Sequence, residues 1–294
     1  MSLIPRATHP TDVHRFEHEA MSCVFGIELA GTTARYAAQA ARAAFDELDR
    51  LQQTLSRFDP HSDIAQIRAL RPGESVRVAI ETIECLRLAA LLYDLTNGAF
   101  DIAYLTPGRG ALAPLVLDPA AHAVGVRMAD VQLDLGGIGK GYAVDRVVDM
   151  LRDWGIPAGC VHSGQSTVRV FGRPADEDGW RVGLRDPRQP NRSIDIVTLR
   201  DASLSGSGRH LHAGHIFDPR RGQPATGVEA SWAIAPRAAL ADGLSTAFMV
   251  LSQEEVAAVC EHVSDVSGVV YLGGPEQALL RFGRLNDFGD RPTW

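Results

Sequence analysis

Apolar residues recur at helical spacing in five parts of the chain and at strand spacing in much of the remainder. Between 33 and 55, Ala37, Ala41, Ala44, Phe45, Leu48, Leu51 and Leu55 share one stripe with the 3.6-residue period of an amphipathic helix. SRFDPHSD breaks that run, with Pro60 as punctuation. A second helix is predicted through ETIECLRLAALLYDL and stops at Asn97-Gly98, a pair suited to a left-handed C-terminal cap. Residues 139–153 predict a third helix, with Tyr142, Val144, Val147, Val148 and Leu151 apolar, and two more are predicted over 237–251 and 253–263. MSCVFGIELA (21–30) and VQLDL (131–135) read as strands, while 102–127 looks irregular and rich in Pro and Gly. From 158 to 235 short strands and turns alternate: GCVHSG, TVRVFG, WRVGLRD, IDIVTL, ASLSGSG, HIFDP and ASWAIA, with SGVVYL as a late strand. Strand runs and helix runs are partly segregated. That predicts an α+β protein with mainly antiparallel sheets flanked by helices, not a doubly wound sheet.

Length, charge and cysteine usage narrow the picture. A chain of 294 residues is long for one domain and comfortable for two closely packed lobes. The net charge of −7 and the lack of any Lys/Arg-rich run argue against non-specific nucleic-acid binding. Cys23, Cys85, Cys160 and Cys260 are far apart and form no C-x-x-C, so they read as buried thiols. Residues 1–19 form a polar segment without the apolar core of a signal peptide, and no apolar run approaches the ~20 residues of a membrane span. A cytoplasmic protein, or one trimmed of its leader, is expected.

Three stretches carry candidate chemistry. LDLGGIGKGYAVDRVVDML (133–151) sets four glycines and a lysine before an amphipathic helix. It is neither a P-loop, which needs G-x-x-x-x-G-K-[ST], nor a dinucleotide fingerprint, since Tyr142 takes the place of the third glycine. Glycines alone would suit a tight turn that lets elements pack closely. Lys140 at a helix N-terminus opposes the helix dipole and calls for an anion. In ALADGLSTAF, Asp242 and Thr246 are four apart on one helix face and offer two hard oxygens, as Mg²⁺ or Ca²⁺ prefers. From spacing alone they are more simply a small polar pair facing solvent. In HLHAGHIFDPRRGQP, His210, His212 and His215 match no closed zinc pattern. A single histidine acting as a base is the better functional reading, and D-P-R-R-G is a turn.

Six segments, in order over residues 20–250, resemble the ApbE family of FAD:protein FMN transferases. They are Ala20-Met21-Ser22-Cys23, LSRFDPHSDI (55–64), TNGAFD (96–101), LDLGGIGKGYAVD, HIFDPRRGQP (215–224) and APRAALADGLSTA (235–247). The fourth is close to the family's IDLGGIAKGYAVD. The resemblance implies one T-fold-like flavin transferase domain over 20–294, built of two intertwined lobes. It implies Mg²⁺ bound by Asp242, Thr246 and a backbone carbonyl near Gly139, and catalysis involving His215. Positions matching FAD contacts are Met21, Phe58, Asp101, Gly137, Lys140, Asp145 and Gly164. The implied reaction moves the FMN moiety of FAD to a Thr or Ser hydroxyl of a target protein and releases AMP. Two departures stand out. HSGQS (162–166) lacks the acid of the family's GGD run, and the segment from Ser205-Gly206 to His215 is short. An FAD pyrophosphatase giving FMN and AMP, and an FAD-binding protein without turnover, are the alternatives.

Overall fold

The computed structural model describes residues 13–106, 114–189, 192–209, 216–273 and 278–284. A hairpin of β1 (Val13–Ala20) and β2 (Cys23–Ala30) leads into helix α1 (Ala34–Leu55). Helix α2 (Asp63–Arg68), strand β3 (Ser75–Arg77) and helix α3 (Ile80–Leu95) follow. Strands β4 (Leu115–Asp118) and β5 (Ala123–Val126) join β3 in a small antiparallel sheet ordered β3-β5-β4. Helix α4 (Gly139–Asp153) precedes the hairpin of β6 (Ala158–Ser163) and β7 (Thr167–Phe171). Strands β8 (Trp180–Arg185) and β9 (Ser193–Leu199) pair with each other, and β10 (Ser203–Gly208) comes next. The short pair β11 (Phe217–Asp218) and β12 (Gln223–Pro224) precedes β13 (Val228–Ala235). Helices α5 (Ala238–Phe248) and α6 (Gln253–His262) and strands β14 (Ser267–Leu272) and β15 (Leu279–Phe282) complete the order.

One sheet organises the molecule. Its eight strands run β1-β2-β6-β7-β10-β13-β14-β15, antiparallel at every step. Alternation sends Phe25, Ile27, Val161, Ala233 and Val270 to one face, where α1, α4, α5 and α6 bury their apolar stripes. Cys160, Val168, Val170, Leu204 and Trp232 point to the other face and pack against Trp180, Val182, Leu184 and Leu199 of the β8–β9 hairpin. No helix among the described residues is long and apolar enough to cross a membrane.

Helix α1 follows the predicted stripe. Ala37, Ala40, Ala41, Ala44, Leu48, Leu51 and Leu55 are buried, and the Thr33 hydroxyl caps its start by accepting from the Tyr36 N–H. Helices α3 to α6 also lie where their periodicity places them.

The structure differs from the pattern in four places. Residues 13–19 of the polar N-terminal segment, with Ala20, form β1, whose half-buried positions are Val13, His14, Phe16 and His18, and the histidines mask the alternation. His18 stacks on Phe45 at 4.9 Å and bonds Asp49 at 2.8 Å. The supposedly irregular 102–127 contains β4 and β5. VQLDL is not a strand. Around Gln132 its backbone pairs with the Thr106 hydroxyl in place of a ladder (3.0 and 3.1 Å). Helix α2 and strands β3 and β15, all short, are additions.

Candidate functional site

The glycine turn before α4 is held from its first residue. Asp134 donates its backbone N–H to the Ile102 carbonyl (2.8 Å). Its carboxylate accepts from the Gly136 N–H (2.9 Å) and from Arg57 (2.7 Å). This acid, standing where a P-loop has its first glycine, rigidifies the turn. The glycines let the backbone come close to its neighbours. A Cβ on Gly137 would lie 3.1 Å from both the Phe100 ring and the Thr246 hydroxyl, and one on Gly141 would lie 2.4 Å from the Ala238 carbonyl oxygen. The residue before helix α4, Ile138, supplies no side-chain cap, so the first N–H groups of the helix need other partners. The Gly141 N–H donates to Asp242 Oδ2 at 3.0 Å. Lys140 is half-buried, with Nζ 3.4 Å from the Gly136 carbonyl oxygen, so its charge lies over the turn.

Helix α5 supplies the oxygens. Asp242 is only 5 % exposed, so the solvent-facing pair that spacing alone favours is not what forms. Its Oδ1 faces the hydroxyls of Thr167 (3.3 Å) and Ser205 (3.2 Å) on β7 and β10. Half-buried Thr246 lies 3.4 Å from the Ser207 hydroxyl and 3.3 Å from the Asp242 carbonyl oxygen. Hard oxygens beside a cationic turn suit a divalent cation and a diphosphate. The donor set thus fits Mg²⁺ and FAD. Among the described residues no cluster of three or more His, Cys, Asp or Glu is placed to hold a metal.

The rim comes from two hairpin turns. Met21 and Ser22 sit at φ 49° and 59°, as a two-residue hairpin turn requires, and the Met21 N–H donates to Gln52. Gly164, at φ 55°, faces Cys23, which a Cβ there would meet at 3.4 Å. Burial pushes the Cys23 thiol up, Lys140 opposes this and Asp242 adds to it, so the rim shares one electrostatic environment with both residues. Beneath the Gly164 turn, His162 donates from Nδ1 to the Gly164 carbonyl at 3.1 Å and covers Gly26, where a Cβ would lie 2.1 Å from Nε2. Burial holds the His162 pKa down.

Phe58 is 80 % exposed, capped by the Arg57 guanidinium at 4.8 Å, and borders a cleft of about 170 Å³ with Leu105 and Leu133. Asp101 accepts from the Ala103 N–H (2.8 Å), one residue before the Ile102 carbonyl that anchors Asp134.

The structure therefore brings Met21, Gly137, Gly139, Lys140, Gly164, Asp242 and Thr246 to one end of the sheet, with Phe58 and Asp101 tied in through Asp134. Asp145 is directed elsewhere. It is 1 % exposed, and its oxygens accept from the N–H groups of Ala238 (2.8 Å) and Ala239 (3.0 Å) and from Arg169 (2.9 Å). Burial pushes its carboxyl up, against the flanking Arg169 and Arg237. In this structure it joins α4, α5 and β7. His215, with His210 and His212, lies outside the described residues. Sequence reading passed over Arg57, Asp134, Thr167, Ser205 and Ser207. The alternation in SLSGSG was the available signal, since it sends Ser203, Ser205 and Ser207 to one face.

Comparison with known proteins bears on the family of the chain. The ApbE family model matches residues 21–109 and 111–270. An FAD:protein FMN transferase of Vibrio cholerae is 26% identical over 253 residues, covering 73% of this chain and 75% of the relative. One of Treponema pallidum is 31% identical over 197 residues, covering 61% and 52%. The crystal structure of the ApbE protein of Thermotoga maritima superposes with a TM-score of 0.81 at 25% identity, over 95% of this chain and 100% of that one.

Proposed function

The chain belongs to the ApbE family, and from that premise we propose that it is an FAD:protein FMN transferase. The hydroxyl of a Thr or Ser on a target protein attacks the FMN phosphorus of FAD. The new P–O bond replaces the P–O bond to AMP, and AMP departs. The observation that carries this reading is the junction of the glycine turn with α5. The Gly141 N–H bonds Asp242, and Gly137 approaches Thr246 closely enough that a Cβ would crowd its hydroxyl.

Each residue then has a task. The turn backbone and Lys140 bind and orient the diphosphate. Asp242 and the Thr246 hydroxyl, with a carbonyl near Gly139, would hold Mg²⁺, which would supply positive charge against the diphosphate. Phe58 packs on a flavin or adenine ring, and Met21, Asp101 and Gly164 border the cofactor. His215 takes the proton of the incoming hydroxyl. Positioning and electrostatics carry most of such a transfer, so no nucleophile of the chain's own is required.

Incubation with FAD, Mg²⁺ and a flavin-accepting peptide tests the proposal by intact mass. The expected product is a peptide heavier by FMN less water, with one AMP released per peptide. AMP and free FMN without peptide labelling would instead identify an FAD pyrophosphatase, and bound but unaltered FAD a binding protein.

A further inference from the structure

We propose that Thr167, Ser205 and Ser207 are positioning residues for the cation site, a hydroxyl relay that fixes which lone pairs Asp242 and Thr246 turn outward. The inference rests on reading Asp242 and Thr246 as metal ligands.

Proton counting carries it. Thr167 and Ser205 lie side by side across β7 and β10, with hydroxyl oxygens 2.9 Å apart, and both are fully buried. Each has one proton. Both hydroxyls are within hydrogen-bonding reach of Asp242 Oδ1. If Ser205 donates to Thr167, Thr167 donates to Asp242; if Thr167 donates to Ser205, the Ser205 proton has Oδ1 and the Ser166 carbonyl oxygen as acceptors, both at 3.2 Å, and the charged carboxylate is the stronger of the two. Oδ2 is taken by the Gly141 N–H. Both oxygens are thus pinned, and the carboxylate can neither rotate nor withdraw from the turn.

The second half of the relay serves Thr246. Ser245 donates to the Asp242 carbonyl (2.9 Å), which leaves its oxygen to accept from Ser207 (2.9 Å). Ser207 has then spent its proton, and toward Thr246 it presents a lone pair at 3.4 Å. The Thr246 proton has two acceptors, Ser207 and the Asp242 carbonyl, both on the protein side. Its own lone pairs remain for a cation. A hydroxyl can coordinate a cation only through a lone pair, so the direction of this chain matters. Ser231 fastens the relay from β13 by donating to the Ser245 carbonyl at 2.6 Å.

The test measures Mn²⁺ affinity by electron paramagnetic resonance without flavin. Proteins compared are the wild type, Asp242→Ala, Thr167→Val, Thr167→Ser, Ser205→Ala and Ser207→Ala, each with a melting curve. Thr167→Val keeps the shape and removes the hydroxyl, and Thr167→Ser restores it. We expect Thr167→Val, Ser205→Ala and Ser207→Ala to weaken Mn²⁺ binding by about 10- to 100-fold. Thr167→Ser should bind like the wild type. In turnover, the Mg²⁺ concentration for half-maximal rate should rise with the KM for acceptor peptide unchanged. If Asp242→Ala abolishes Mn²⁺ binding while the three hydroxyl deletions bind normally, the relay is overturned and the metal assignment stands. If the wild type does not bind Mn²⁺, or Asp242→Ala binds it unchanged, both readings fall. Should Ser205→Ala not fold, the Thr167 pair still decides the matter.

Discussion

Lys140 is the residue whose removal separates cofactor binding from architecture. Its side chain is half-buried, and its one described polar contact is the long reach to the Gly136 carbonyl. Lys140→Ala is expected to weaken FAD binding by about 1–3 kcal/mol, the scale of a lost charged hydrogen bond, and to leave the melting temperature alone. Isothermal calorimetry giving equal affinities would remove Lys140 from the diphosphate. Asp242 differs because it serves both site and fold. Asp242→Ala strips a partner from the buried Gly141 N–H and should cost about 1–3 kcal/mol of stability along with metal-dependent turnover. Asp242→Asn keeps an acceptor for that N–H, so its stability loss should be smaller while turnover still fails. Thermal unfolding of the two variants side by side, with turnover in Mg²⁺ and in EDTA, checks both statements. The candidate ligands were legible from the family's motif, since spacing alone favoured a solvent-facing pair. What holds them was not, because Thr167 and Ser205 reach Asp242 only through sheet register, across 75 and 37 residues.

At the scale of elements, the α4–α5 contact and the β2–β6 pair make separate predictions. A Cβ at Gly141 would press into the backbone of Ala238 and Ala239, which cannot yield as a flexible side-chain tip would. Gly141→Ala should therefore cost about 1–3 kcal/mol or more, seen as a lower denaturation midpoint. In β6, His162 is buried with its pKa pushed below the ordinary value. The unfolded chain then binds a proton more readily than the folded one. The His162 contribution is fully present above the unfolded value of about 6.5 and is lost as pH falls through the folded pKa, at no more than about 1.4 kcal/mol per pH unit. The charged groups facing it are Glu17 and Glu28, and Arg15 pairs with Glu28. His162→Asn should flatten that part of the stability–pH curve, and an unchanged slope in urea titrations below pH 6.5 would refute the assignment. Elements with a clean period were readable in the sequence, α1 above all. Strand β1 was not, because its inward positions carry two histidines whose partners lie outside the strand, His14 on the Thr32 carbonyl and His18 on Phe45 and Asp49 of α1. VQLDL has the composition of a strand, but its backbone is claimed by the Thr106 side chain.

At the scale of the whole molecule, the sheet separates two cores. The candidate site belongs to the helical face, and the β8–β9 hairpin covers the other. Leu184→Ala, at a fully buried position of the hairpin side, should cost about 2–5 kcal/mol while the folded fraction keeps its FAD affinity. Denaturant melts paired with flavin titration below the midpoint measure both quantities. Helix α5 has a further property that emerges when the molecule is considered in time. Its own N-cap, Arg237, provides no capping hydrogen bond from its side chain, and the acceptors for Ala238 and Ala239 come from Asp145, 93 and 94 residues upstream. During synthesis from the N-terminus, α4 leaves the ribosome well before α5, so the helix carrying Asp242 and Thr246 emerges to find its missing cap already made. A circular permutant beginning at 228 would reverse that order. Its first helix would have to wait, frayed at the start, for most of the chain to arrive.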